Sequence, residues 1–369
     1  MNEPWVSQLR NLHQTDLTRT PNSGFRHLPP LWDRGTLPQS IRMSAALHSL
    51  ALSEPFHIAH GSSAARTMLR VSRDGHVAEA PFVPYYGEDP EVTLTAIESG
   101  TPIAHLPRTA RLAFDLLDLD LATGAAGETL GAHAARRLGP PRGPLPPGCR
   151  SLGIPDDLGL FSQKVAGLAR QFRVLKLKLG SGDLGLDLAT VSVARLAAPA
   201  ASLLLDVNGG WDTTEAPMMI WKLMDYRPTL IEQPIHHTLG LDVWRDLRAE
   251  MPEGAPPIYA DESAQTVADL DGLAGYVDGV NVKLLKCGSF DGAIDMIAGA
   301  RRLGLGVLLG CMIESSLGTT AAAHLAPWAD WIDLDGHFYL ARDDYEGIAY
   351  ASDGSLVMPA RPGIGAVPR

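Results

Sequence analysis

Val174-Leu-Lys-Leu-Lys-Leu179 reads as a short apolar strand carrying two lysines, Lys176 and Lys178, two residues apart and so on one side of the chain. Six more short apolar runs follow it, at 202–207, 229–232, 258–260, 279–282, 306–309 and 331–334, with helical stretches such as 289–303 between them. Short strands that are apolar throughout and separated by helices imply a parallel sheet covered on both faces. At least seven such units in so short a span favour a closed β/α barrel over an open sheet. An open dinucleotide-binding sheet is further disfavoured because no GxGxxG follows a first strand.

Upstream the pattern differs. Runs at 46–52, 66–72 and 77–82 read as a meander, with Arg73-Asp74-Gly75 as a hairpin turn. Helical patterns follow at 90–99, 108–121 and 128–137, giving an α+β unit. Gly139-Pro-Pro-Arg-Gly-Pro-Leu-Pro-Pro-Gly148 then breaks all periodicity and marks the domain boundary. The expected organisation is an extension of unknown role at 1–40, an α+β capping domain at 41–148 completed by 341–369, and a barrel at 149–340. Met43, just before the first strand, offers an alternative start.

Bulk properties narrow the function. The 369 residues are 45% hydrophobic and 20% charged, as expected of a globular protein with a large core. A formal net charge of −11 argues against nucleic acid and anionic membranes as partners. Cys149, Cys287 and Cys311 are too few and too scattered for a disulfide framework or zinc knuckle, so a reducing cytoplasm is expected. The N-terminus lacks the apolar core of a signal peptide, and no run approaches the ~18 apolar residues of a membrane span.

Charged residues fall at the ends of the strands. Leu203-Leu-Leu-Asp-Val-Asn208 presents Asp206, Leu230-Ile-Glu-Gln-Pro234 presents Glu232, Tyr259-Ala-Asp-Glu-Ser263 presents Asp261, and Val280-Asn-Val-Lys-Leu284 presents Lys283. They recur roughly every 25 residues, one strand plus one helix, so five successive strands deliver Lys, Asp, Glu, Asp and Lys to one rim. Taken singly, each carboxylate is equally well a helix cap or an ion-pair partner. Together, three carboxylates form a hard oxygen set suited to Mg²⁺ and poor for zinc. Such a cation stabilises charge on a substrate carboxylate when the neighbouring carbon loses its proton. Lysines flanking it, with pKa values lowered by nearby cations and desolvation, are candidate bases.

These motifs resemble the muconate lactonizing subgroup of the enolase superfamily, over about residues 55–335. The resemblance implies a (β/α)₇β TIM-like barrel beneath an α+β cap. It also implies one Mg²⁺ per subunit on Asp206, Glu232 and Asp261, an acid/base pair of Lys178 and Lys283, and Lys176 supporting the enolate oxygen. Asn208 and Glu262 would stand behind these groups. Gly310-Cys-Met-Ile-Glu-Ser315 and Ile332-Asp-Leu-Asp-Gly336 are similar to dipeptide epimerases, in which the Asp-x-Asp pair, here Asp333 and Asp335, holds the substrate ammonium. Two carboxylates two apart at a strand end can hold a cation jointly.

The cap segments Phe56-His-Ile-Ala-His-Gly-Ser62 and Pro84-Tyr-Tyr-Gly-Glu88 resemble those enzymes as well, and Cys311 and Met312 are expected at the barrel mouth. Where Ala-Glu epimerases carry an arginine after the cap's Gly-Ser, this chain has Ser63, and Arg66, close in sequence, is expected to lie on the following strand. The expectation is a dipeptide epimerase, not specific for Ala-Glu, working by 1,1-proton transfer through an enediolate, and a homo-oligomer. Cycloisomerases, N-acylamino acid racemases and o-succinylbenzoate synthases share the lysines but have no need of Asp333 and Asp335. A metal hydrolase would draw on a His-x-His that is absent here, and a non-catalytic binding protein would leave five buried charges without use.

Overall fold

The structure is a computed structural model that describes residues 43–141 and 143–369; the expected extension at 1–40 lies outside them. Three antiparallel strands open it: β1 (Ser44–Ile58), β2 (Gly61–Arg73) and β3 (His76–Pro81). The turn between β2 and β3 has Asp74 and Gly75 both at positive φ (53° and 83°), the conformation for which Asp-Gly is suited. The first hairpin is longer than the sequence pattern suggested, because the alternation is broken by a register shift between Ala51 and Phe56. Helices α1 (Pro90–Glu98), α2 (Arg108–Ala125) and α3 (Leu130–Leu138) follow, and α2 buries Leu112, Ala113, Leu116 and Leu117 on one face.

Eight parallel strands then pair in chain order: β4 (Cys149–Leu152), β5 (Val174–Lys178), β6 (Ser202–Asp206), β7 (Leu230–Glu232), β8 (Ile258–Ala260), β9 (Gly279–Val282), β10 (Gly306–Gly310) and β11 (Trp331–Asp333). β4 is absent from the sequence reading; four residues after a proline-rich linker carry too little pattern. Helices between strands begin at loop side chains that accept their first-turn N–H groups, including Asp157, Asp183, Ser289 and Ser315. The ends β4 and β11 meet without a main-chain ladder. Side chains bridge them instead: Ser151 Oγ donates to Asp333 (2.8 Å) and Ser151 N to Asp335 (2.7 Å).

The period of two along each strand builds the barrel interior in layers. Cys149, Val174, Leu204, Leu230, Tyr259 and Leu308 form an apolar plug, with Trp331 packed against it. Two residues further along the same strands stand Ser151, Lys176, Asp206, Glu232, Asp261, Gly310 and Asp333. Glycine is needed at two inward positions: a Cβ on Gly279 would overlap the Tyr259 ring, and one on Gly310 the Asn281 side chain.

After the barrel the chain returns to the cap. Ala341 N donates to Ala51 O (2.9 Å), Arg70 Nη2 to Asp344 (3.2 Å) and Ile364 N to Asp120 (2.6 Å). Among the described residues, no helix is long and apolar enough to cross a membrane.

Candidate active site

Asp206 at the end of β6, Glu232 at the end of β7 and Asp261 just after β8 are fully buried, and one carboxylate oxygen from each lies within 4.8 Å of the others. Both oxygens of Asp206 and of Asp261 are held, Oδ2 of each by a lysine at 2.6 Å (Lys178 and Lys283), whereas Glu232 has one held oxygen only. Asp206 Oδ1 accepts from Asn208 N (3.1 Å), Glu232 Oε1 from Asn281 Nδ2 (2.6 Å) and Asp261 Oδ1 from Lys286 Nζ (2.6 Å). Glu232 Oε2 has no hydrogen-bond partner; Lys176 Nζ is 2.7 Å away but off the bonding direction. Three buried carboxylates whose oxygens approach this closely, one of them with an orphan oxygen, fit a hard divalent cation.

Two left-handed residues shape this rim. Asn208 (φ 48°) comes two residues after Asp206, and Gln233 (φ 43°) directly after Glu232. Gln233 Oε1 accepts from the backbone N of Asp261 (2.9 Å) and of Ser263 (3.1 Å), fixing the third carboxylate's loop. Lys286 donates to Asp261 Oδ1 and to the carbonyls of Asp261, Ala264 and Asn281 at 2.6–2.9 Å. Neither role was found from sequence: Gln233 sits in a quoted motif and Lys286 three residues after Lys283, but only the bond geometry shows what they hold.

Charge sets the ionisation of the cluster. Burial alone would raise Asp206, yet Lys176 and Lys178 hold it at about 2. Asp261 is driven below the ordinary carboxylate range by Lys283 and Lys286 against the same burial penalty. Glu232 is pushed up to about 8, by burial first and then by Asp206. Burial works to lower Lys176 and Lys283, but their carboxylate partners outweigh it and hold both well above the ordinary lysine value. The expectation of a depressed base is therefore not met at Lys283, whose Nζ lies 2.6 Å from Asp261 Oδ2.

Above the triad lies a cavity walled by both domains. Lys178, Asn208, Lys283, Cys311, Met312, Asp333 and Asp335 come from the barrel side, and Phe56, Ser63, Arg66 and Tyr85 from the cap. Lys178, on β5, and Lys283, just after β9, are four strands apart in a sheet of eight, on opposite sides of the barrel. Lys176 is not part of this wall; its Nζ is engaged by Asp206 (2.9 Å), Glu232 (2.7 Å) and Asp333 (2.9 Å). Glu262 stands behind the wall, accepting from Asn208 Nδ2 (3.0 Å), and Asn208 Oδ1 in turn accepts from Lys178 (3.2 Å).

Asp333 and Asp335 do line the cavity, tied to the seam. Asp333 Oδ1 accepts from Ser151 Oγ and Oδ2 from Lys176, while Asp335 Oδ2 accepts from Ser151 N and Tyr339 Oη (2.8 Å). Burial, then Asp333, pushes Asp335 up to about 6.

Arg66 lies on a strand, as expected, and lines the cavity all the same. It shares β2 with Ser63, which lines the cavity too. Residues three apart on a regular strand face opposite ways, and the regular pairing of β2 with β1 is interrupted between these two, at Ala64.

Residues 161–369, more than half of the chain, match the family described as enolase C-terminal domain-like. An L-Ala-D/L-amino acid epimerase of Pedosphaera parvula is 38% identical over 58% of this chain and 59% of its own. The alignments to the first such curated relatives span 54–59% of those proteins' lengths. The substrate-liganded L-Ala-D/L-Glu epimerase of Bacillus subtilis superposes with a TM-score of 0.78 at 26% identity, over 89% of this chain and 98% of its own. A dipeptide epimerase of Enterococcus faecalis, solved with Mg and the dipeptide L-Leu-L-Tyr, gives 0.77 at 26% identity over 88% and 98%. With its eight-stranded barrel, its cap and its buried acidic triad, the chain belongs to the enolase C-terminal domain-like family of the enolase superfamily.

Proposed function

We propose that this protein is a Mg²⁺-dependent dipeptide epimerase that inverts the α-carbon of the dipeptide's C-terminal residue. The observation that carries the reading is the pair Lys178 and Lys283, on opposite sides of the barrel, facing one cavity above a buried carboxylate triad. Relatives and structural neighbours named as dipeptide epimerases, one of them holding Mg and a dipeptide, support the substrate class. On this reading residues 41–148 and 341–369 form the cap that closes over the barrel at 149–340.

Asp206, Glu232 and Asp261 would hold Mg²⁺, which when bound supplies positive charge to a substrate carboxylate. One lysine, neutral, takes the α-proton from one face, and charge spreads onto the carboxylate oxygens. The opposite lysine, as an ammonium, returns a proton to the other face. Lys176 lends positive charge from behind the carboxylates, and Asn208 orients Lys178 against Glu262. The cap excludes water from the carbanion. Asp333 and Asp335 receive the substrate's α-ammonium, a demand that cycloisomerases and N-acylamino acid racemases do not make.

The test is incubation with Mg²⁺ and mixed L,L-dipeptides in D₂O, followed by mass spectrometry. Gain of a single deuteron by a subset of dipeptides is the expected result. No exchange in any dipeptide by the folded, Mg²⁺-loaded protein would overturn the reading.

The ammonium role carries its own pH signature. Asp335, at about 6, loses its charge as the pH falls below that value, so KM for dipeptides with a free amine should climb between pH 6 and 5. N-acetylated analogues should not share that rise, and Asp335→Asn should flatten it. Because this carboxyl is raised above 3.8, its contribution to folding stability is present at low pH and is lost as the pH rises through 6.

A further inference from the structure

Arg150 alternates along β4 with Cys149 and Ser151, which face the barrel interior, so its side chain leaves the barrel at the seam between β4 and β11. There its guanidinium lies 4.1 Å from the centre of the Phe338 ring, with Tyr339 at 5.5 Å and Phe172 at 5.9 Å. Among the described residues it donates no hydrogen bond. Its Nε is buried without a partner, 3.4 Å from Asp335 Oδ2 but off the bonding direction. The side chain is 13% exposed, so water screens this charge little. A cation with so few partners is costly, and stacking on aromatic faces offsets part of that cost. What the position supplies in return is positive charge beside Asp335.

That charge meets a need. The Asp335 carboxylate is buried next to a second carboxylate, Asp333, and both effects favour its neutral form, while Arg150 opposes them. The other titratable groups facing it among the described residues bring no positive charge: Cys149 from β4, Cys311 from the loop after β10, and Tyr339 and Tyr350 from the segment after the barrel. Lys176 is engaged by Asp206, Glu232 and Asp333. His337, on the same outer groove as Arg150, is held at about 4 by burial and is neutral above that value. Asp335 Oδ2, the oxygen near Arg150, also accepts from Ser151 N and Tyr339 Oη, whereas Oδ1 accepts no bond among the described residues. Asp335 lines the cavity and Arg150 does not, so the carboxylate stands between the arginine and an arriving ammonium. We propose that Arg150 is a positioning residue for the epimerase reaction, holding Asp335 from outside the barrel as an anion turned to the substrate's α-ammonium. This rests on the epimerase reading of the same site.

The test compares wild type, Arg150→Met and Arg150→Lys between about pH 5 and 8, on the dipeptide that gains deuterium fastest and on its N-acetyl analogue. Methionine keeps much of the packing against the rings and removes the charge. A cation at this distance favours the ionised carboxylate by about tenfold or more, so in Arg150→Met the pH below which KM climbs should move from about 6 to about 7 or above. KM for the free-amine dipeptide near pH 6 should then rise about fivefold or more, with kcat little changed and the N-acetyl analogue unaffected. Raising the pH should restore the variant's KM, which a merely loosened seam would not do, and Arg150→Lys should keep much of the wild-type profile. An unchanged KM profile in Arg150→Met, or a loss equal at every pH and for both substrates, overturns the proposal. Calorimetric binding of L-Ala-L-Leu to the Mg²⁺-loaded protein keeps the two readings apart. If no dipeptide turns over, weaker binding to Arg150→Met near pH 6 that recovers near pH 8 still supports the role of Arg150, and binding equal to that of the wild type refutes it.

Discussion

Lys283→Ala and Lys178→Ala should each lower epimerisation between about 10² and 10⁴-fold, the range by which a positioned acid or base speeds proton transfer. The two losses should differ in kind. Because the lysines face the cavity from opposite sides, each variant would, on the proposed mechanism, remove the base for one face of the α-carbon only. Lys178→Ala is expected to keep exchanging the α-proton of one stereoisomer in D₂O, and Lys283→Ala that of the other, while neither interconverts them. Equal loss of exchange for both isomers in both variants would rule out two bases. Stabilisation by Mg²⁺ serves as the control, since Lys178 and Lys283 also contact Asp206 and Asp261 at 2.6 Å.

Lys286→Met should produce the largest loss of stability. The Lys286 ammonium is buried against Asp261 Oδ1 and three main-chain carbonyls. Methionine fills much of the same space but leaves the carboxylate without the cation that fixes one of its oxygens. Removing one partner of a buried ion pair costs about 3–5 kcal/mol. Thermal unfolding of the variant should start several degrees lower than that of the wild type, with Mg²⁺ absent from both. An unchanged midpoint would mean that Lys286 is not what holds Asp261. The same change at Lys164, whose ion pair with Glu54 is half exposed, should be nearly neutral.

The chemistry of this protein is legible in its sequence because each strand has a period of two and each strand–helix unit recurs at a regular interval. Once the β/α repeat is recognised, Asp206, Glu232 and Asp261 must reach the same end of the barrel. The two lysines follow from the same count, as does the Asp-x-Asp on the last strand. The strands themselves were visible as apolar runs between helices, save β4, which is short and follows prolines.

What the sequence could not supply depends on contacts between segments far apart in the chain. The partners that hold the three carboxylates, among them Asn208, Asn281 and Lys286, are set by tertiary contacts, and no spacing rule encodes them. The high pKa of Lys283 comes from an oxygen 22 residues away in the chain and 2.6 Å away in space. That Arg66 lines the cavity together with Ser63 does not follow from strand alternation, which assumes a regular ladder, and the pairing of β1 with β2 is irregular between them. The amino-acid order alone determined the barrel, its acidic triad and its lysines, through local periodicity. The tertiary structure alone decided the ionisation of those groups and which side chains of the cap line the cavity, because both depend on burial and on distances between chain-distant residues.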